Sequence, residues 1–129
     1  MSVETLAVMA QACVMSRETI NAICKGLPGA ENSDPWGGGH DAWKVGGKMF
    51  ACIGAINPGV SVKCESIDEA LHLEDMFGWP KAPYFHRSWV QVPFDTAEDE
   101  LRHRIHRSYR VVRSGLTKKA QAAMEPFDG

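Results

Sequence analysis

The stretch that decides the fold is AWKVGGKMFACIGAI, Ala42 to Ile56. Its β-forming segments, Ala42 to Val45 and Lys48 to Ile56, flank Gly46-Gly47. A two-residue Gly-Gly connection signals a type I′ hairpin, because both turn positions require positive φ. Downstream, Asn57-Pro58-Gly59 turns the chain into Val60 to Glu65. There Val60, Val62 and Cys64 alternate with Ser61, Lys63 and Glu65 at the two-residue period of a half-buried strand. Ser88 to Phe94 adds a fourth strand, with Val90, Val92 and Phe94 on one face.

Helices fit around this meander. Ser66 and Glu69 have capping-box spacing, which predicts a helix over about 67 to 77 with Ile67, Ala70 and Leu71 inward, ended by Gly78, Pro80 and Pro83. Asp95 and Glu98 offer a second box. In the helix that follows, Leu101, Ile105, Tyr109, Val112 and Leu116 fall within an arc of about 80° at about 100° per residue. It ends at Gly115, and Thr117 to Ala123 adds a final turn or short helix. Upstream, Ser16 caps a helix over 17 to 25 that stops at Gly26, with Pro28 and Gly29 beyond. Val3, Leu6, Ala7, Ala10 and Val14 form a separate helical stripe. The string ENSDPWGGG before the hairpin is turn chemistry; it lacks the flanking strand and helix of a phosphate-binding glycine loop. The expected organisation is an extra helix or extension over 1–15, one domain over 16–124 and a frayed end over 125–129. The fold class is α+β, a twisted antiparallel sheet of about four strands packed against helices.

The chain has 129 residues, 44% hydrophobic and 23% charged, which suits one globular domain and excludes a disordered or fibrous chain. Cys13, Cys24, Cys52 and Cys64 form no CxxC pair, and no apolar run approaches the roughly 18 residues of a membrane span. A cytoplasmic protein with reduced thiols is expected. The net charge of −2 is unevenly distributed. Residues 1–80 carry five Lys/Arg against ten Asp/Glu, net −5, and residues 81–129 carry nine against six, net +3. On the long helix, Arg102, Arg104, Arg107, Arg110 and Arg113 lie opposite the apolar stripe. They read either as phosphate contacts or as a solvated, acid-paired face.

No catalytic signature is present: there is no G-x-S-x-G elbow, Walker loop or H-E-x-x-H. The best local cluster for catalysis is His40, Asp41 and Lys44. His103 and His106 have the spacing of a metal pair, but the arginines around them repel a dication. No enzyme activity, metal or cofactor is expected.

The strings LPGAE at 27–31, AWKVGGKMFACI at 42–53, VSVKCE at 60–65, APYFHRSWVQV at 82–92 and SYRVVRSGL at 108–116 occur in an order that resembles the MmcQ/YjbR family over about residues 16 to 120. The resemblance implies a CyaY-like, or frataxin-like, α+β fold and a DNA-binding role with a double-wing arrangement. The acidic ridge that accompanies iron binding in frataxin-like folds is not matched.

Two functions follow as expectations. In the first, a non-enzymatic module binds double-stranded DNA, with Lys44, Lys48, Lys63, Lys81, Arg87, Arg110, Arg113, Lys118 and Lys119 on phosphates and the hairpins as wings. In the alternative, a small molecule or protein partner binds the sheet face and the loop carrying Trp79, Tyr84, Phe85, His86 and Arg87. Trp43, Trp89 and Tyr109 are assigned to packing rather than to base stacking.

Overall fold

The structure is a computed structural model and describes residues 17–34, 38–54, 59–83 and 85–127. Helix α1 (residues 17–25) precedes β1 (Ala30–Ser33), β2 (Asp41–Val45), β3 (Lys48–Ile53) and β4 (Gly59–Lys63). Then come α2 (Ile67–Phe77), β5 (Trp89–Pro93), α3 (Glu98–Ser114) and α4 (Lys118–Ala122). The five strands form an antiparallel meander in sequence order. The α+β class holds, with five strands where about four were expected. The additional strand, β1, is Ala-Glu-Asn-Ser, which reads as a turn. It is an edge strand with exposed Glu31 and Asn32, and its order comes from pairing with β2 rather than from burial.

The Gly-Gly hairpin forms as expected: φ is +58° at Gly46 and +80° at Gly47. Ser66 caps α2, its Oγ accepting from the Glu69 N–H. The inward face of α2 differs from the sequence reading, since Ala70 and Leu73 are buried while Ile67 and Leu71 are exposed. Helix α2 packs beside β5, at the end of the strand order, and buries only a narrow stripe. The second capping box is also absent. Ala97 is the N-cap of α3 and supplies no side-chain bond, and Glu98, Asp99 and Glu100 instead place negative charge against the helix dipole. Thr117 caps α4 by accepting from the Ala120 N–H.

One face of the sheet carries the core. Trp43, Ile53, Val60, Val62, Val90 and Val92 pack against Ile20 and Ile23 of α1, Leu73 of α2, and Leu101, Ile105 and Tyr109 of α3. A bulge between Trp43 and Lys44 brings Phe50 into this cluster, edge-on to Tyr109 at 5.4 Å. Near the C-terminus, Phe127 lies edge-on to Tyr109 at 4.7 Å and to His106 at 5.4 Å. Strand β3 ends at Ile53 rather than Ile56. Residues 1–16, Asn57-Pro58 of the second turn, Tyr84 and the last two residues lie outside the described residues.

Candidate nucleic-acid interface

The cations of the molecule fall into two groups with different surroundings. In the middle of α3, Arg104 Nε donates to Glu100 Oε1 at 2.9 Å. Arg107 reaches across to α2, donating to both carboxylate oxygens of Glu69 at 2.7 and 2.6 Å and to Glu65 at 2.9 Å. This bidentate fork holds the Glu69 carboxyl below its usual range against the opposing effect of burial. Arg113 is also engaged: it donates to the Tyr109 hydroxyl and to the Glu125 carbonyl, both at 2.8 Å. Arg102 stands 3.8 Å from Glu98, and the exposed Arg110 lies over the Phe127 ring. The basic half-cylinder of the sequence is therefore largely satisfied within the fold.

The second group surrounds the β2–β3 hairpin. A Cβ at Gly46 would lie 2.6 Å from Leu116, so the end of α3 packs directly beneath the turn. Lys44 and Lys48 are each two residues from Gly46, and Lys118 is two residues from Leu116, within about 7 Å of chain of that contact. Lys63 belongs to the same end, because β4 reaches it two residues beyond Ser61, the partner of Cys52. Lys44 and Lys63 share the sheet face opposite the helices, since each lies one residue from a core-facing side chain, Trp43 or Val45 and Val62. No carboxylate comes within 4 Å of Lys44, Lys48, Lys63, Lys118 or Lys119 among the described residues. Glu31 is the cross-strand partner of Lys44 without closing an ion pair. Lys63 Nζ donates to Ser88 Oγ at 3.0 Å, which holds its ammonium near the mouth of the 81–89 loop.

One buried residue that the sequence reading placed only within a motif anchors this end. Ser108 Oγ donates to the Phe50 carbonyl at 2.6 Å and accepts from the Lys63 N–H at 2.8 Å. It satisfies the backbone where the β3–β4 ladder stops, and so fixes Lys63 against α3. Its signal is a serine interrupting the side of α3 that carries Ile105 and Tyr109.

The other sequence candidates separate. Asp41 faces α1, where Asn32, Asn21 and Arg17 all donate to it; together these donors outweigh burial and hold its carboxyl low. Lys44, three residues on, projects from the opposite face, so the His40, Asp41 and Lys44 cluster does not converge. His40 Nδ1 lies 3.3 Å from Asp34. Asp34 accepts from the Gly39 and Gly38 N–H groups, which gives part of the glycine run a local turn role. His103 is exposed while His106 is half-buried, and among the described residues no three His, Cys, Asp or Glu side chains are grouped to hold a metal ion.

Around the 79–89 loop, Phe85 stacks on Trp89 at 4.5 Å, while Trp79 is buried and stacks on Phe77 at 4.4 Å. Lys81, Phe85, His86, Arg87 and Trp89 line a recess of about 80 Å³. That is small beside the roughly 300 to 1,000 Å³ of small-molecule sites. A larger groove of about 420 Å³ lies between α1 and α3, with Ile23, Leu27, Phe127, Arg102 and His106 on its walls.

No described helix is long and apolar enough to cross a membrane. No curated protein matches the chain. A solved structure, the crystal structure of Deinococcus radiodurans protein DR2400, with a domain described as DUF419, superposes with a TM-score of 0.69 at 21% identity. The match covers 81% of this chain and 83% of that one, and it supports the same fold. The YjbR family model matches residues 25–111, from the last residue of α1 through β5 and most of α3, and the chain belongs to the YjbR family.

Proposed function

We propose that this protein is a non-enzymatic DNA-binding module that grips backbone phosphates with the lysines of its hairpin end: Lys44, Lys48 and Lys63 from the sheet, and Lys118 and Lys119 from α4. The observation that carries the reading is the contact of Leu116 with Gly46, which joins two lysine groups distant in sequence into one end free of ion pairs among the described residues. Phosphate contact is the chemistry open to ammonium groups that close no ion pair, and a two-stranded ribbon such as β2–β3 fits a major groove about 12 Å wide. Lys81 and Arg87 extend the basic line past β5, and Arg110 and Arg113 flank it on the helix side. Base reading is weak in this arrangement, because neither hairpin residue at the tip, Gly46 or Gly47, carries a side chain.

The test is fluorescence anisotropy of a labelled duplex at about 50 and 200 mM salt, where phosphate-driven affinity differs steeply. The wild type binds with a negative salt slope. Lys48→Gln with Lys118→Gln flattens that slope by about 0.9 for each phosphate that is no longer neutralised, equally for all duplex sequences. Absence of binding at 50 mM, or a slope unmoved by the double variant, overturns the proposal and makes a small-molecule or protein partner the leading reading.

A further inference from the structure

The groove of about 420 Å³ between α1 and α3 has the size of a small-molecule site. Its wall from α1 and the turn that follows consists of Thr19, Ala22, Ile23, Gly26 and Leu27, none of them charged. Ile23 and Leu27, each 5% exposed, make an apolar floor. The α3 wall carries charge. Arg102, His106 and Arg110 are four residues apart, so they form one row along the helix with steps of about 6 Å. A second recess, of about 400 Å³, shares Glu98, Arg102 and His106 with the groove and extends it to Asp99, His103 and Arg110. Phe127 lines the groove as well, with its ring edge-on to His106 and under the Arg110 guanidinium at 5.8 Å.

We propose that this groove binds a small organic monocarboxylate, its apolar body on Ile23, Leu27 and Phe127 and its carboxylate beside His106, between Arg102 and Arg110. The site goes beyond the DNA reading, which rests on the lysines of the hairpin end. Arg110 closes no ion pair among the described residues. Arg102 stands 3.8 Å from Glu98 in an exposed pairing that an incoming carboxylate can replace. A guanidinium so placed offers a carboxylate its planar fork. The acids of this wall, Glu98 and Asp99, lie in the first turn of α3 and match the two arginines in number, so the lining is neutral while both histidines are neutral. Such a lining suits a single negative charge better than a dianion. It also leaves room for a proton. Burial keeps the His106 imidazole neutral, and the charges of Arg102, Arg110 and His103 further oppose its protonation. A carboxylate beside the ring cancels that repulsion, so binding is coupled to proton uptake at His106.

The test follows the His106 ring by NMR in the full chain, with 4-phenylbutyrate and octanoate as probes and 4-phenylbutanol and inorganic phosphate as controls. Both carboxylates bind with a Kd on the order of 1 mM, as their size allows. Each moves the His106 titration to higher pH and binds about tenfold more tightly on its acid side than on its alkaline side. The alcohol leaves the titration where it is, and phosphate does not displace the carboxylates. Arg110→Gln weakens both carboxylates by about tenfold through loss of a charge-assisted contact. Ala22→Trp, at an exposed position of α1, fills the groove and abolishes binding. His106→Gln keeps binding but removes its pH dependence. If Ala22→Trp unfolds the chain, Arg110→Gln decides. Failure of both carboxylates to bind at about 10 mM overturns the proposal. So does an affinity unmoved by Arg110→Gln. Equal affinity for 4-phenylbutanol on the acid side overturns it too, since the groove would then be an apolar cleft without an anion site.

Discussion

Arg104 and Arg107, in the middle of α3, each meet a carboxylate at 2.9 Å or less, whereas Lys44, Lys48, Lys118 and Lys119 meet none within 4 Å among the described residues. Both groups are basic, and a charge map along the sequence does not separate them. The difference is geometric. Arg107 faces α2, whose first turn carries acids to greet the helix dipole, so the same Glu69 serves dipole and guanidinium. The hairpin lysines flank a two-residue turn, and among the described residues no carboxylate closes an ion pair with them. Cations in the first group tie the fold together, and cations in the second, on the proposed function, are the ones that meet phosphate. Substitutions in the first group should therefore be read in stability, and substitutions in the second in binding.

The largest expected effect falls in the α3 interior. Ser108→Ala removes the bonds to the Phe50 carbonyl and the Lys63 N–H together, leaving two backbone groups at a buried junction unsatisfied at about 1 to 3 kcal/mol each. Urea unfolding should show a loss of about 2 to 4 kcal/mol. A loss below about 0.5 kcal/mol, the range of ordinary surface substitutions, would mean that water takes over the hydroxyl's place. Next comes Arg107→Met, which leaves Glu69 without its fork. Because both side chains are partly solvated, the expected loss is about 1 to 2 kcal/mol, and the salt slope for DNA should not move. Lys48→Gln reverses the pattern, with stability within about 0.5 kcal/mol of wild type and a flatter salt slope. Stability losses of equal size in Arg107→Met and Lys48→Gln would erase the distinction between the two regions.

The sequence was legible where a local rule acts alone. Gly46-Gly47 declared the hairpin through φ, Ser66 and Glu69 declared the start of α2, and the stripe from Leu101 to Leu116 declared the buried side of α3. It was opaque where tertiary contact decides. The polar strand Ala30–Ser33 is ordered by its neighbour, and Asp95 yields its capping role to the acids that follow it. Ile67 and Leu71 face solvent because α2 packs beside the last strand. The candidate lysines were all visible as residues, but their union into one end depends on Leu116 meeting Gly46, a contact 70 positions apart that no spacing rule reports. The burial of Ser61 on the outer face was equally hidden, because alternation alone assigns it to solvent.

At the hairpin end itself, Gly47 isolates the backbone contribution. A Cβ there would meet nothing within 4 Å, so Gly47→Val destabilises only through its φ of +80°, by about 1 kcal/mol. Gly47→Asn should recover most of that loss, because asparagine tolerates left-handed backbone. Equal melting temperatures for Gly47→Val and wild type would contradict the strained turn. Gly46→Val adds a clash with Leu116 and should cost more than Gly47→Val, which would confirm that the end of α3 is seated under the turn.

The smallest effect concerns His106, on the same helix as the ion-paired arginines. Burial against Phe127 lowers its pKa from 6.5, and the nearby Arg102, Arg110 and His103 lower it further. The unfolded chain, with an ordinary imidazole, then binds a proton before the folded one does as pH falls. The contribution of a neutral His106 is complete above about pH 6.5 and is lost progressively below it, until the folded imidazole also titrates. His106→Gln should flatten the dependence of stability on pH in this window, while leaving the separate loss in the carboxylate range, where Asp41 and Glu69 take up protons, unchanged. Urea midpoints measured between pH 5 and 7 decide the point. If the variant keeps the wild-type slope, neither burial against Phe127 nor the charges of Arg102 and Arg110 act on His106 in the folded chain.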